Sequence, residues 1–162
     1  MPDNDNVVTA TTQEEKAQLT NLTYLLIKDD TTSKYSKLVD ITSYPQIGGE
    51  PEQVDVTTMS DTKHRYINGL EDTERLEFGA NYRKSDYSKL NTISAADAVR
   101  TYSLCFGDML GTDGRFEWSG RLSLYLSAGE SGAARGMSFT ISDEGKEAIH
   151  EVEPLTNADI AE

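Results

Sequence analysis

The strongest constraint in this chain is a hydrophobic period of two. Between Arg115 and Ser127, Phe116, Trp118, Leu122, Leu124 and Leu126 fall on one side of an extended backbone. Arg115, Glu117, Ser119, Arg121, Ser123 and Ser127 fall on the other. A helix repeats every 3.6 residues and cannot keep those two sets apart. The run therefore predicts a half-buried antiparallel strand, with a bend or bulge at Gly120. The period recurs. Leu76, Phe78, Ala80 and Tyr82 alternate with Glu77 and Asn81. Tyr102, Leu104 and Phe106 alternate with Ser103 and Cys105. Met137, Phe139 and Ile141 alternate with Ser138 and Thr140. Leu22 to Ile27 is apolar on both faces, and Val54 and Val56 alternate with Asp55 and Thr57.

Turn chemistry separates these runs. Thr112-Asp113-Gly114 predicts a hairpin tip, and Asn68-Gly69 another turn. Ser85 is placed to N-cap a short helix over 86–91, and Ser94-Ala-Ala-Asp97 resembles a capping box. The expected fold class is mainly β: an antiparallel β-sandwich or barrel with a short flanking helix after Tyr82. At 162 residues, a folded chain buries roughly 70% of its extended surface, so no staple is required.

Charge divides the chain into three parts. The total is −13, from 28 acids and 15 bases. Residues 1–30 carry six acids and two bases, and residues 143–162 carry seven acids and one base. Both ends are lean in large apolar residues, with Val7 and Val8 in one and Ile149, Val152 and Leu155 in the other. The expected organisation is an N-terminal arm over 1–20, a β domain over 21–142 and an acidic C-terminal arm over 143–162. The arms are either frayed in solvent or ordered on meeting another subunit. A chain this acidic repels phosphate and is a poor nucleic-acid binder. No run of about 18 apolar residues predicts a membrane span, and the polar, acidic first residues do not resemble a signal peptide.

Residues that carry chemistry are few. His64 and His150 are far apart and not ligand-spaced. His64 reads as an ordinary loop histidine. Cys105, the only cysteine, sits within a strand pattern and reads as a structural thiol. Gly107 to Gly114 falls short of a calcium loop, which needs oxygen ligands at nearly every second position, and reads as a hairpin tip. Trp118 reads as core. No nucleophile elbow, P-loop or dinucleotide fingerprint is present. Neither catalysis nor a cofactor is expected. The anomaly is Met59 to Asp72, a long polar connection carrying Tyr66, Ile67 and Leu70. Connections of that length are usually functional or mobile. It either folds back on its own domain or docks on another subunit.

Several motifs share an order and spacing: Val54-Asp-Val-Thr-Thr-Met-Ser-Asp61, Tyr66-Ile-Asn-Gly-Leu-Glu-Asp72 and Leu76-Glu-Phe-Gly-Ala-Asn-Tyr82. An acidic helix near Asp86, Arg100-Thr-Tyr-Ser-Leu and Arg115-Phe-Glu-Trp-Ser-Gly-Arg follow. Over about 22–142 this resembles the major tail tube proteins of long-tailed phages. The resemblance implies a tail-tube fold, shared in outline with the type VI secretion tube protein. It implies hexameric rings that stack into a tube, found in the virion and built in the host cytoplasm. The implied partners are other copies of the chain, a tape-measure protein, and tail tip and tail terminator proteins. DNA would pass through the lumen without specific binding, and no membrane is involved. The implied self-assembly loop is Thr57, Met59, Asp61, Tyr66, Ile67 and Leu70, with Thr58 at its base. Two other classes compete. A carbohydrate or cell-surface binding module needs Trp118, Tyr102 and Tyr125 exposed on one patch. A small hydrolase needs a histidine–carboxylate pair.

Overall fold

A computed structural model describes residues 21–48, 52–69, 75–145 and 149–161. The expected N-terminal arm over 1–20 lies outside the described residues, as does Leu70. The strands are β1 (Thr23–Lys28), β2 (Tyr35–Val39), β3 (Ile41–Ser43), β4 (Gln53–Asp55), β5 (Tyr66–Asn68) and β6 (Arg75–Asn81). After helix α1 (Lys84–Ala96) come β7 (Arg100–Phe106), β8 (Arg115–Gly120), β9 (Leu122–Leu126), β10 (Gly136–Ser142) and β11 (His150–Glu151). A 3-10 turn covers Asn157–Asp159.

The strands form a five-stranded sheet in the order β11-β8-β7-β1-β2 and a four-stranded sheet in the order β3-β6-β10-β9. Strands β4 and β5 make a two-stranded sheet of their own. The neighbouring strands in all three pair antiparallel. The main core gathers Leu25, Ile27, Tyr102, Leu104 and Trp118 with Leu76, Phe78, Ala80, Leu122, Met137, Phe139 and Ile141. The first set comes from the five-stranded sheet and the second from the four-stranded one. Phe78 stacks on Phe139 with centroids 5.5 Å apart and lies 6.1 Å from Trp118. Each inward set is one parity of a period-two run, which is the physical content of the alternation.

The long run from Arg115 to Ser127 is two strands in two sheets. Pairing continues through Gly120 opposite Arg100 in one sheet and resumes at Leu122 opposite Ile141 in the other. At the corner, a Cβ on Gly120 would lie 1.5 Å from the Ser142 carbonyl oxygen. Only glycine permits that approach, and one apolar face thereby serves both sheets.

Strand β7 is buried on both faces rather than half-buried. Tyr102 and Leu104 enter the main core, while Ser103 and Cys105 are buried on the opposite side. Strand β1 does the same, with Leu25 and Ile27 inward and Leu26 outward. A second small cluster of Leu26, Tyr35, Cys105 and Leu155 covers that outer face. The helix is one continuous element. Its N-cap is Arg83, without a side-chain cap, so Ser85 lies inside the helix. The Ser94-Ala-Ala-Asp97 motif marks its C-terminus: Asp97 is left-handed, and its N–H donates to the Ser94 carbonyl.

Within the stretch expected as a C-terminal arm, residues 149–161 pack on the five-stranded sheet. β11 pairs with β8 through His150–Glu117 and Glu151–Phe116. Leu155 is 9% exposed, and its N–H donates to the Leu110 carbonyl at 2.8 Å. Ile160 bridges Tyr35 at the start of β2. The segment thus straps the five-stranded sheet from β8 to β2.

Candidate assembly surface

The β4–β5 hairpin carries the expected assembly loop. Its ladder pairs Gln53 with Asn68, Val54 with Ile67 and Asp55 with Tyr66. Backbone bonds extend it at both ends: Val56 N–H to the Arg65 carbonyl (2.9 Å) and Gly69 N–H to the Glu52 carbonyl (2.6 Å). Asn68-Gly69 therefore prolongs the ladder where a turn was expected. Residues 59–69 are largely the tip and second strand of a hairpin.

Two aspartates organise the tip. Asp55 Oδ1 accepts from the Thr57 N–H at 2.8 Å and from the Thr57 hydroxyl. Asp61 Oδ2 accepts from the Thr58 N–H (2.8 Å) and hydroxyl (2.9 Å). The Arg65 N–H donates to Thr57 Oγ1 at 3.0 Å. These bonds favour the ionised carboxylates. The Thr57 hydroxyl and N–H, with a lesser contribution from His64, hold the Asp55 pKa below its ordinary 3.8. The Thr58 N–H and hydroxyl do the same for Asp61. Thr57, Thr58 and Asp61 thus fasten the tip.

The remaining expected residues that the structure describes are exposed apolar side chains. Met59 is fully exposed at the tip. Tyr66 and Ile67 are each 55% exposed, and Val54 is 45% exposed. Val54 and Ile67 are a cross-strand pair, so their side chains share one face. Val54, outside the set expected from the sequence, adds to this exposed apolar surface. Its signal was the Val54–Val56 alternation, but its partnership with Ile67 is a register fact. A second exposed apolar spot, Tyr125 and Leu126, lies on β9, an outer strand of the four-stranded sheet.

The residues with chemical potential are placed as follows. His64 Nδ1 lies 3.5 Å from Asp55 Oδ2 and 3.4 Å from Thr57 Oγ1, with its ring stacked on Tyr66. This is a histidine–carboxylate pair, but it lies on an open hairpin, with the His64 side chain 74% exposed. No wall excludes water there, and the same nitrogen faces both partners, which is not the relay a hydrolase uses. His150 lies on β11, remote in the fold. Cys105 is buried, and that burial pushes its thiol pKa up, away from a reactive thiolate. Gly107 to Gly114 is the β7–β8 hairpin tip, with Asp108 accepting from the Leu110 and Thr112 N–H groups. Among the described residues no three metal-ligating side chains converge, and no helix is long and apolar enough to cross a membrane. Tyr102 and Trp118 are buried in the main core while Tyr125 is exposed, so these three do not form one exposed patch.

No family model matches the chain, and no curated protein matches it. Solved structures do. A chain of the sheath/tube terminator of the PVC extracellular contractile injection system aligns with TM-score 0.64 at 9% identity. The alignment covers 86% of this chain and 99% of that one. A chain from the C6-symmetric tail of an empty gene transfer agent particle aligns with TM-score 0.62 at 15% identity, covering 84% and 99%. A chain from the tube-terminating cap of the anti-feeding prophage aligns with TM-score 0.63 at 9% identity, covering 90% and 99%. This chain has the tail-tube fold, that of the tube and terminator proteins of contractile injection systems and phage-like tails.

Proposed function

We propose that this chain is a structural tail subunit that assembles into hexameric rings, and that the rings stack into a tube through which DNA is ejected. The carrying observation is the fold match, which spans nearly the whole of each tail protein compared. The hairpin supports self-assembly: Val54 and Ile67 are exposed on one face, Tyr66 on the other and Met59 at the tip. Exposed apolar residues gathered in one place mark an interaction surface. A heterologous contact closes into a ring when its rotation permits. On this reading Met59, Tyr66 and Ile67 touch a neighbouring copy, while Thr57 and Asp61 hold the tip in shape. The expected partners are other copies, a tape-measure protein and the tail tip and terminator proteins. The site of action is the virion tail, with assembly in the host cytoplasm. The net charge of −13 suits a conduit that DNA crosses without binding. The role is non-enzymatic.

Negative-stain microscopy of concentrated protein tests the proposal. Tubes of uniform width with six-fold rings are expected. Rings that never stack would instead favour a terminator, the role that two of the compared structures are described by. A monomer at every concentration, also with a tail-tip complex as initiator, would refute both.

A further inference from the structure

We infer that the C-terminal strap is an edge guard: it keeps the five-stranded sheet from pairing with another copy of this chain. An open strand edge is a template for a second chain, and proteins that must avoid such pairing cover or blunt it. Without β11, the five-stranded sheet would end in β8 and β2.

Both ends are closed. Along β8, the Glu144 N–H donates to the Ser119 carbonyl (2.8 Å), β11 pairs with Glu117 and Phe116, and the Val152 N–H donates to the Arg115 carbonyl (2.8 Å). On β2, Lys89 reaches from α1 to the Lys37 and Leu38 carbonyls at 2.7 and 3.1 Å. The Ala161 N–H takes the Tyr35 carbonyl at 2.8 Å. Between the two ends, Leu155 packs with Leu26, Tyr35 and Cys105.

Arg115 ties the strap to the sheet. Its Nε donates to the Glu153 carbonyl (2.9 Å), and its Nη1 donates to Glu117 (2.8 Å) and the Ser103 hydroxyl (3.3 Å). The Tyr35 hydroxyl donates to the same Glu117 oxygen at 2.5 Å. The four-stranded sheet has no such strap: among the described residues β9 pairs with β10 alone, and α1 packs against it. The asymmetry leaves the β4–β5 hairpin open and removes the five-stranded sheet from competition. The inference goes beyond the tube proposal and holds for a chain of any function.

Cys105 is the only cysteine and lies beneath the strap, so its reaction with a thiol reagent such as DTNB reads strap opening. The test uses the full chain with Val54→Ser and Ile67→Ser in the hairpin, and compares it with the same chain carrying Leu155→Asp. Labelling at least about tenfold faster is expected, with a cooperative melt retained and irregular oligomers seen by light scattering and microscopy. A synthetic peptide of residues 149–162, added in trans, should restore slow labelling and monodispersity. Leu155→Ser provides a milder opening if the aspartate variant does not melt cooperatively. Fast labelling without association, or unchanged labelling, would overturn the inference. Tube formation is not the readout, so failure here and failure of the tube proposal are distinguishable.

Discussion

The five-stranded sheet and the β4–β5 hairpin use the same secondary structure to opposite ends. In the sheet, β1 and β7 bury both faces, and the strap and Lys89 occupy the outer edges. In the hairpin, every residue of both strands is exposed. One region satisfies itself, and the other is shaped but uncovered. Its shape comes from short-range bonds, Asp55 to Thr57 and Asp61 to Thr58, which need no core beneath them. Stability and interaction potential are therefore separable in this chain, and substitutions should separate them.

The largest effect is expected in the main core. Phe78→Ala removes a buried ring that stacks with both Phe139 and Trp118 and should cost about 3–5 kcal/mol of unfolding free energy, read by urea denaturation. Gly120→Ala belongs to the same class, because its Cβ has no room at the corner. Next comes the strap. Leu155→Ala should cost about 2 kcal/mol, where a free arm would cost nothing. An unchanged urea midpoint would show that the strap contributes nothing to the folded chain. Smaller still is the hairpin: Val54→Ser with Ile67→Ser should shift unfolding by no more than about 0.5 kcal/mol while preventing assembly. A large loss of stability would show that the hairpin packs on the domain after all.

The smallest effect is a pH dependence of the tip. Asp55 and Asp61 have folded pKa values below 3.8. Their contribution is present above that value and is lost as pH falls through the lower folded values. Amide exchange at Thr57 and Thr58 should therefore be unaffected between pH 8 and pH 5, after correction for intrinsic rates, and should lose protection below about pH 4. In Asp55→Ala, which removes the acceptor, the Thr57 amide should lose protection at every pH.

Parts of this arrangement were legible in the sequence because they repeat locally. Leu76 to Tyr82 and Met137 to Ile141 alternate cleanly, and they pair with each other in register. The hairpin before Arg115 announced itself through Asp113-Gly114. Other parts were not legible, for physical reasons. The corner at Gly120 preserves parity, so one run of alternation concealed two strands. The Ser94 motif looks alike at either end of a helix, and only the preceding turns decide which end it marks. The strap has a single well-buried apolar residue, Leu155, with Ile149 and Ile160 half-buried at its ends, and backbone bonds and Arg115 add holds that leave no periodic trace. The Val54–Ile67 pair depends on register between distant residues. Of the six residues expected in the assembly loop, Thr57 and Asp61 prove to be fasteners and Met59, Tyr66 and Ile67 are exposed, while Leu70 lies outside the described residues.

The most direct test of the central claim is to measure assembly and stability together in one hairpin variant. Val54→Asp with Ile67→Asp should melt within a few degrees of the native chain, as expected for exposed positions, and should form neither rings nor tubes by negative-stain microscopy at concentrations where the native chain forms them. Normal tubes from that variant would contradict the account, because the exposed hairpin would then not be the surface through which copies meet.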